Sequence, residues 1–191
     1  LITSAYRNSF FNKPDGPAIA SARAGNVIGG GDWSSDRLIP DILRAFQQKT
    51  PVVIRNPKST RPWQHVLEPL SGYLLLAQLL SEQGSAFAEG WNFGPNESDV
   101  KPVEWILEKM IRHWGENASW IRETETQPHE ASSLKLDISK AKTRLHWQPI
   151  WNLEESLKKI IDWQRAWLAN ESMDAYSLAE IKAFMLSTKL L

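Results

Sequence analysis

Arg61 stands in the segment Thr60-Arg61-Pro62-Trp63-Gln64-His65-Val66, among aromatic and imidazole side chains and away from any charged helical face. A guanidinium in such a setting can take two oxygens of a phosphate in one planar fork. A single arginine can equally serve as half of a surface ion pair, so the segment by itself leaves both roles open. The second candidate is rich in glycine. Gly25-Asn26-Val27-Ile28-Gly29-Gly30-Gly31-Asp32 follows a short run of small and apolar residues. Strand, glycines, then helix is how dinucleotide folds lay a pyrophosphate on backbone N–H groups. The spacing is not G-x-G-x-x-G, and no G-K-[ST] ending follows. The run therefore reads as a tight loop lining a site that other segments complete.

Other chemistries lack their residues. His65, His113, His129 and His146 do not pair at metal-ligand spacing, and His129-Glu130 lacks the second histidine of H-E-x-x-H. No G-x-S-x-G elbow is present, which removes an α/β-hydrolase nucleophile. The chain has no cysteine, which excludes disulfides and thiolate metal sites. Its 22 Lys+Arg balance 22 Asp+Glu, where a nucleic-acid-binding domain would carry a basic excess. Apolar runs such as Leu74-Leu75-Leu76-Ala77 are too short to span a bilayer. The composition is that of a globular protein, and the expectation is a soluble, cytoplasmic one with no membrane partner. Ten tryptophans in 191 residues read as core anchors, with an aromatic surface for sugars or bases as the alternative.

The elements that must position these residues alternate between strand and helix. Residues 1–11 have helical apolar spacing, and 18–23 read as a short buried strand. Leu38 to Gln48 form an amphipathic helix with Pro40 in its first turn. Pro51 to Ile54 form a β-branched strand, and Thr60 to Val66 read as extended or looped. An apolar helix runs from about Pro69 to Leu80, a short strand covers 91–94, and a helix covers Pro102 to His113. A strand follows at 118–121. Ser139 is the expected N-cap of a short helix, and Asn152 with Glu155 makes a capping-box start for the next. A last helix spans 174–190. The pattern is α/β, with too few strands for a complete doubly wound sheet.

At Arg23-Ala24-Gly25-Asn26-Val27-Ile28-Gly29-Gly30-Gly31-Asp32 the chain resembles the R-x-x-N-V-Y-G-P-G-D block of the extended short-chain dehydrogenases/reductases. Further blocks follow in that family's order: Leu38-Ile39-Pro40, Pro51-Val52-Val53-Ile54, Thr60 to Val66, and Trp91-Asn92-Phe93-Gly94. Leu136 to Ala141, Leu145 to Pro149 and Leu153 to Leu157 complete the series. The resemblance implies the last part of a Rossmann-type NAD(P)-binding domain plus a small mixed α/β substrate-binding domain. It divides the chain into 1–33 (Rossmann), 34–170 (mainly nucleotide-sugar-binding, with 69–95 returning to the Rossmann part) and 171–191 (a tail helix). Activity is implied to be that of a lyase removing water from an activated sugar, with CDP-glucose or a related nucleotide sugar as substrate. Another epimerase, dehydratase or reductase, or a non-catalytic sugar-nucleotide-binding fragment, remains as an alternative.

The same resemblance assigns roles. Asn26, Arg37, Leu38, Ile39 and Pro40 would border phosphates and nucleotide, and Val53, Ile54 and Arg55 the base and ribose. Arg61 would clamp the pyrophosphate, Asn92 would add a contact, and Gln127 and His129 would lie near the nucleotide. Ala24 and Gly25 would approach NAD through backbone alone. The family's Tyr-x-x-x-Lys pair is not found here, since Tyr6, Tyr73 and Tyr176 precede Phe10, Ala77 and Glu180 by four residues. The expectation is thus a C-terminal portion that is inactive alone, with NAD bound mainly by residues elsewhere. The whole protein is expected to be a homo-oligomer, paired through helices that include residues 1–11.

Overall fold

The computed structural model describes residues 2–11, 16–115, 117–124 and 133–187. In chain order the first half contains α1 (Ile2–Phe10), β1 (Ser21–Ala24), β2 (Asn26–Ile28), α2 (Leu38–Gln48), β3 (Val52–Ile54), β4 (Thr60–Arg61), β5 (Trp63–His65) and α3 (Leu67–Gln83). The second half contains β6 (Gly90–Phe93), β7 (Lys101–Pro102), α4 (Val103–Trp114), β8 (Trp120–Arg122), α5 (Ser139–Arg144), α6 (Leu153–Leu168) and α7 (Met173–Ser187). The strands join in twos. β1 lies parallel to β6, β2 to β5 and β3 to β8, while β4 runs antiparallel to β7.

Two hydrophobic cores cover one face of these ladders and leave the other exposed at Val27, Val53 and Ile121. The first unites Ile42 and Phe46 of α2, Ile106 and Leu107 of α4, and Ile160 and Ile161 of α6 beneath β3 and β5. The second gathers Leu76 of α3, Trp91 and Phe93 of β6, and residues 138–147, including Trp147. Eight of the ten tryptophans are buried (Trp63, Trp91, Trp147, Trp151 and Trp163) or partly buried against the first core (Trp105, Trp114 and Trp120), the anchoring role expected of them.

Several segments depart from expectation. The strand expected to be buried at 18–23 forms at Ser21–Ala24 with Ala22 and Arg23 exposed. Asn26–Ile28, inside the run expected as a loop, form β2, while Gly29 to Asp32 remain loop; Thr60 to Val66, expected as extended or looped, contributes β4 and β5. The β2 and β5 segments each supply what the other lacks: Asn26 N–H donates to the Pro62 carbonyl at 2.8 Å and Val66 N–H to that of Ile28 at 2.8 Å. Strands this short are made by their tertiary partners and not by propensity. Ser139 is the first helical residue of α5 and not its cap; the Asp137 carboxylate accepts from the Ser139 N–H at 2.8 Å. Asn152 caps α6 as expected, accepting from the Glu155 N–H at 2.9 Å.

Where β5 enters α3, two titratable groups are buried. Glu68 has no exposed surface, and its carboxylate oxygens accept from the N–H groups of Trp151 at 2.7 Å and Ile150 at 3.0 Å. Burial raises its pKa from 4.5 to about 7, against the opposing pull of those two N–H groups. The His65 ring meets Trp151 edge-on at 5.0 Å, and its Nε2 lies 3.9 Å from a Glu180 oxygen of α7. Burial, helped by the nearby Lys159 charge, lowers the His65 pKa from 6.5 to about 4.

These shifts act in opposite directions on stability. Glu68 takes up a proton on folding, so its contribution is full below pH 4.5 and is lost as pH rises through about 7. His65 gives one up, so its contribution is full above pH 6.5 and is lost as pH falls through about 4. Between pH 4.5 and 6.5 the two slopes cancel. Urea titrations across this range are expected to show that Glu68→Gln loses stability toward acid and His65→Phe loses it toward neutrality. Each slope would amount to about 3 kcal/mol over its window. Variants that keep the wild-type pH profile would show that neither group carries its assigned proton.

Candidate functional site

Within two residues the backbone changes partners. Gly25 N–H donates to the Phe93 carbonyl at 3.1 Å, on the side of β6, while Asn26 N–H donates to that of Pro62 at 2.8 Å, next to β5. A Cβ on Gly25 would stand 2.2 Å from the Pro62 oxygen, so only glycine passes here. The chain emerges at Asn26 on the wall of a cleft of about 700 Å³, within the size range of small-molecule sites.

Three arginines line this cleft from three segments: Arg37 at the start of α2, Arg55 just after β3, and Arg61 in β4. The Arg61 backbone is held opposite Lys101 in the β4–β7 ladder, and its Nη1 donates to the Thr60 carbonyl at 2.9 Å. The same cleft is lined by the apolar Leu38, Ile39 and Pro40 of α2 and Val53 and Ile54 of β3. Val53 is half exposed because its side chain faces away from the core that holds Val52 and Ile54. Such a surface suits a flat ring beside a diphosphate: cationic forks for the oxygens, apolar contact for the ring.

Carboxylates offset part of the positive charge. Asp32, Asp36 and Asp41 line the same cleft. Hydrogen bonding from Ser34, its N–H first, lowers the Asp32 pKa, and Arg37 and Arg44 add to the effect, so Asp32 is ionised at neutral pH. Asp41 pairs with Arg44 one turn along α2.

Ten residues singled out from sequence therefore surround one cleft: Gly25, Asn26, Arg37, the three of α2, Val53, Ile54, Arg55 and Arg61. Ala24 and Asn92 do not line it. Ala24 pairs with Phe93 in the β1–β6 ladder, and Asn92 Nδ2 donates to the Asp137 carbonyl at 2.9 Å. Gln127 and His129 lie outside the described residues. Asp32 closes the glycine-rich run that the sequence reads as site lining, whereas Ser34, Asp36, Asp41, Ser59 and Trp63 were not singled out as site residues. Trp63 shares a segment with Arg61, but the carboxylates carried no spacing signal to mark them. Among the described residues no group of three His, Asp or Glu side chains could hold a metal ion, and no helix is long and apolar enough to cross a membrane.

The glycines after β2 serve a different neighbour from the one a dinucleotide loop would need. A Cβ on Gly30 would lie 2.3 Å from Cγ of Trp163, and one on Gly31 3.2 Å from the far edge of the same indole. The run is glycine-rich because α6 lays a tryptophan across it.

No family model matches the chain. It is 55% identical over 192 residues, 98% of its length, to a CDP-glucose 4,6-dehydratase of Salmonella typhimurium, and these residues make up 54% of that relative. It is 29% identical over 168 residues to UDP-glucuronic acid decarboxylase 1 of Xenopus tropicalis, covering 87% of the chain and 38% of the relative. The chain thus spans about half the length, or less, of the curated relatives it matches. Among solved structures, UDP-glucuronic acid 4-epimerase from Bacillus cereus superposes with a TM-score of 0.70 at 21% identity, covering 86% of this chain and 49% of the epimerase. The dTDP-glucose 4,6-dehydratase from Bacillus anthracis gives 0.65 at 17% identity, covering 86% and 48%. The chain is therefore similar in sequence to a CDP-glucose 4,6-dehydratase along nearly its whole length, and it carries the fold of the Rossmann-type extended short-chain dehydrogenases/reductases.

Proposed function

We propose that this chain forms the nucleotide-sugar-binding part of an NAD-dependent lyase that converts CDP-glucose to CDP-4-keto-6-deoxyglucose and water. The observation that carries the reading is the convergence of Arg37, Arg55 and Arg61 on one cleft that Leu38, Ile39, Pro40, Val53 and Ile54 also line. Arg61 would hold the diphosphate with help from Arg37, while Val53, Ile54 and Arg55 flank the cytidine. Asn26 lines the same cleft and would meet the sugar or its phosphate. These side chains bind and orient; none is placed to move a hydride.

NAD, when bound, supplies the oxidant that takes up a hydride from the sugar and later returns it. Among the described residues it would be met by the backbone of Gly25, which lines the cleft, and of Ala24 just before it. The Gly29–Gly31 run does not suit it as a phosphate cradle, because Trp163 fills the space over Gly30 and Gly31. Hydride and proton transfer are accordingly assigned to residues this chain does not hold, in keeping with the absence of a Tyr-x-x-x-Lys pair and with the 54% coverage of the dehydratase. The division into a Rossmann part and a nucleotide-sugar-binding part belongs to the same reading, as does homo-oligomerisation. Ile2, Tyr6 and Phe10, exposed along α1, offer an apolar face for such pairing. A cytoplasmic location fits the lack of cysteine.

Calorimetric titration of the chain with CDP, UDP and dTDP tests the reading. Binding is expected to favour CDP, and Arg61→Ala is expected to weaken it by about 2 to 5 kcal/mol, the scale for losing a buried charge partner. Equal CDP affinity in the two proteins would remove Arg61 from the clamp. Preference for a uridine or thymidine diphosphate would favour an epimerase or another dehydratase. With CDP-glucose and NAD, the 191-residue chain alone is expected to release no 4-keto product. Measured turnover would contradict the assignment of the redox chemistry elsewhere.

A further inference from the structure

Five cleft residues, Gly29, Asp32, Ser34, Asp36 and Arg37, belong to the connection between β2 and α2, which has no helix or strand of its own. Residues 31–37 are all exposed, so no core packing holds them. Their shape is fixed from outside by two contacts. On one side Arg44 of α2 donates to the carbonyls of Trp33 at 3.2 Å and Ser34 at 3.2 Å while pairing with Asp41. On the other side the Trp33 ring lies 4.6 Å from that of Trp167 and 6.2 Å from that of Trp163, both on α6. Trp163 in turn donates from its indole N–H to the Ser177 hydroxyl of α7 at 3.2 Å.

We infer that Trp33 is a positioning residue for nucleotide binding: clasped by Trp163 and Trp167, it holds the β2–α2 connection in the shape that presents Arg37 to a nucleoside diphosphate. The inference rests on the cleft being the nucleotide site. Trp33 does not line the cleft itself, and half its surface is exposed, so its effect on a ligand must pass through the backbone of its own loop. Asp36 has a left-handed backbone (φ 57°) and Gly31 a positive one (φ 75°), and between these two bends sit Asp32, Trp33, Ser34 and Ser35. A short segment between two such bends has few contacts to keep it in place once its aromatic anchor is gone. The elements that supply the anchor, α6 and α7, lie more than a hundred residues later in the chain and contribute nothing else to the cleft wall.

Two measurements on the whole chain test this. The first is trypsin cleavage of the Arg37–Leu38 bond, followed by mass spectrometry. Trp33→Ala is expected to speed this cut while leaving the urea midpoint near that of wild type, and Trp33→Phe to restore the slow rate. The second is a CDP titration of wild type, Trp33→Ala, Arg37→Ala and the double variant. Loss of Trp33 is expected to raise Kd by about five- to tenfold, the range for an aromatic pair. In the double variant the two losses should not add, because Trp33 acts through Arg37. An unchanged cleavage rate, or CDP losses that add in full, would overturn the inference while leaving the nucleotide site intact. A wild-type chain that does not bind CDP would overturn both, and the cleavage rate would then report only on the loop.

Discussion

Two neighbouring N–H groups, those of Gly25 and Asn26, point to different strand partners, and the rest of the site depends on that divergence. Had the strand continued along β6, residues 26–28 would lie in the ladder that ends at Phe93. Turning to β5 instead, it brings Asn26 beside Trp63 and within one wall of the cleft that Arg61 lines. The turn is possible because Gly25 lacks a side chain where the Pro62 carbonyl approaches. A single backbone constraint therefore couples the strand that leaves the small-residue segment to β5, which begins two residues after Arg61.

Around this crossing, several polar groups tie neighbouring elements together. Glu68 binds the two N–H groups that start the segment leading into α6, so a carboxylate takes the place of a missing ladder. Trp147 is tied to α3 through the Ser71 hydroxyl at 3.0 Å, and Lys140 and Arg144 of α5 share Glu89 just before β6. The exposed pairs add little individually. These ties fix α3, α5 and α6 against β5 and β6, which holds β5 and the β2 strand paired to it in place at the edge of the cleft. A preorganised wall binds at a smaller ordering cost.

Much of the architecture was legible from spacing and punctuation. The helix from Leu38 to Gln48 follows from its apolar stripe, and α6 from Asn152 three residues before Glu155. The β-branched run at Val52–Ile54 was equally plain. The partnership of β2 with β5 was not, because three-residue strands carry no periodicity and glycine-rich sequence reads as loop. The same blindness extends to the cleft. Arg61 and Asn26 were found through the blocks they stand in and Arg37 beside its own, whereas Asp36 and Asp41 became neighbours of the site only through the fold. Trp163 gives the clearest case: its role over Gly30 joins residues 133 positions apart, and nothing local announces it.

The claim that most deserves a direct measurement is that this cleft, and no other surface, receives a cytidine diphosphate. Titrating CDP into isotopically labelled chain and following backbone amide resonances would test it residue by residue. A CDP site here predicts that the resonances of Asn26, Arg37 to Ile39, Val53 to Arg55 and Arg61 move together with one saturation curve. Movement confined to residues outside the cleft, or none at concentrations well above a nucleotide's ordinary range, would contradict it.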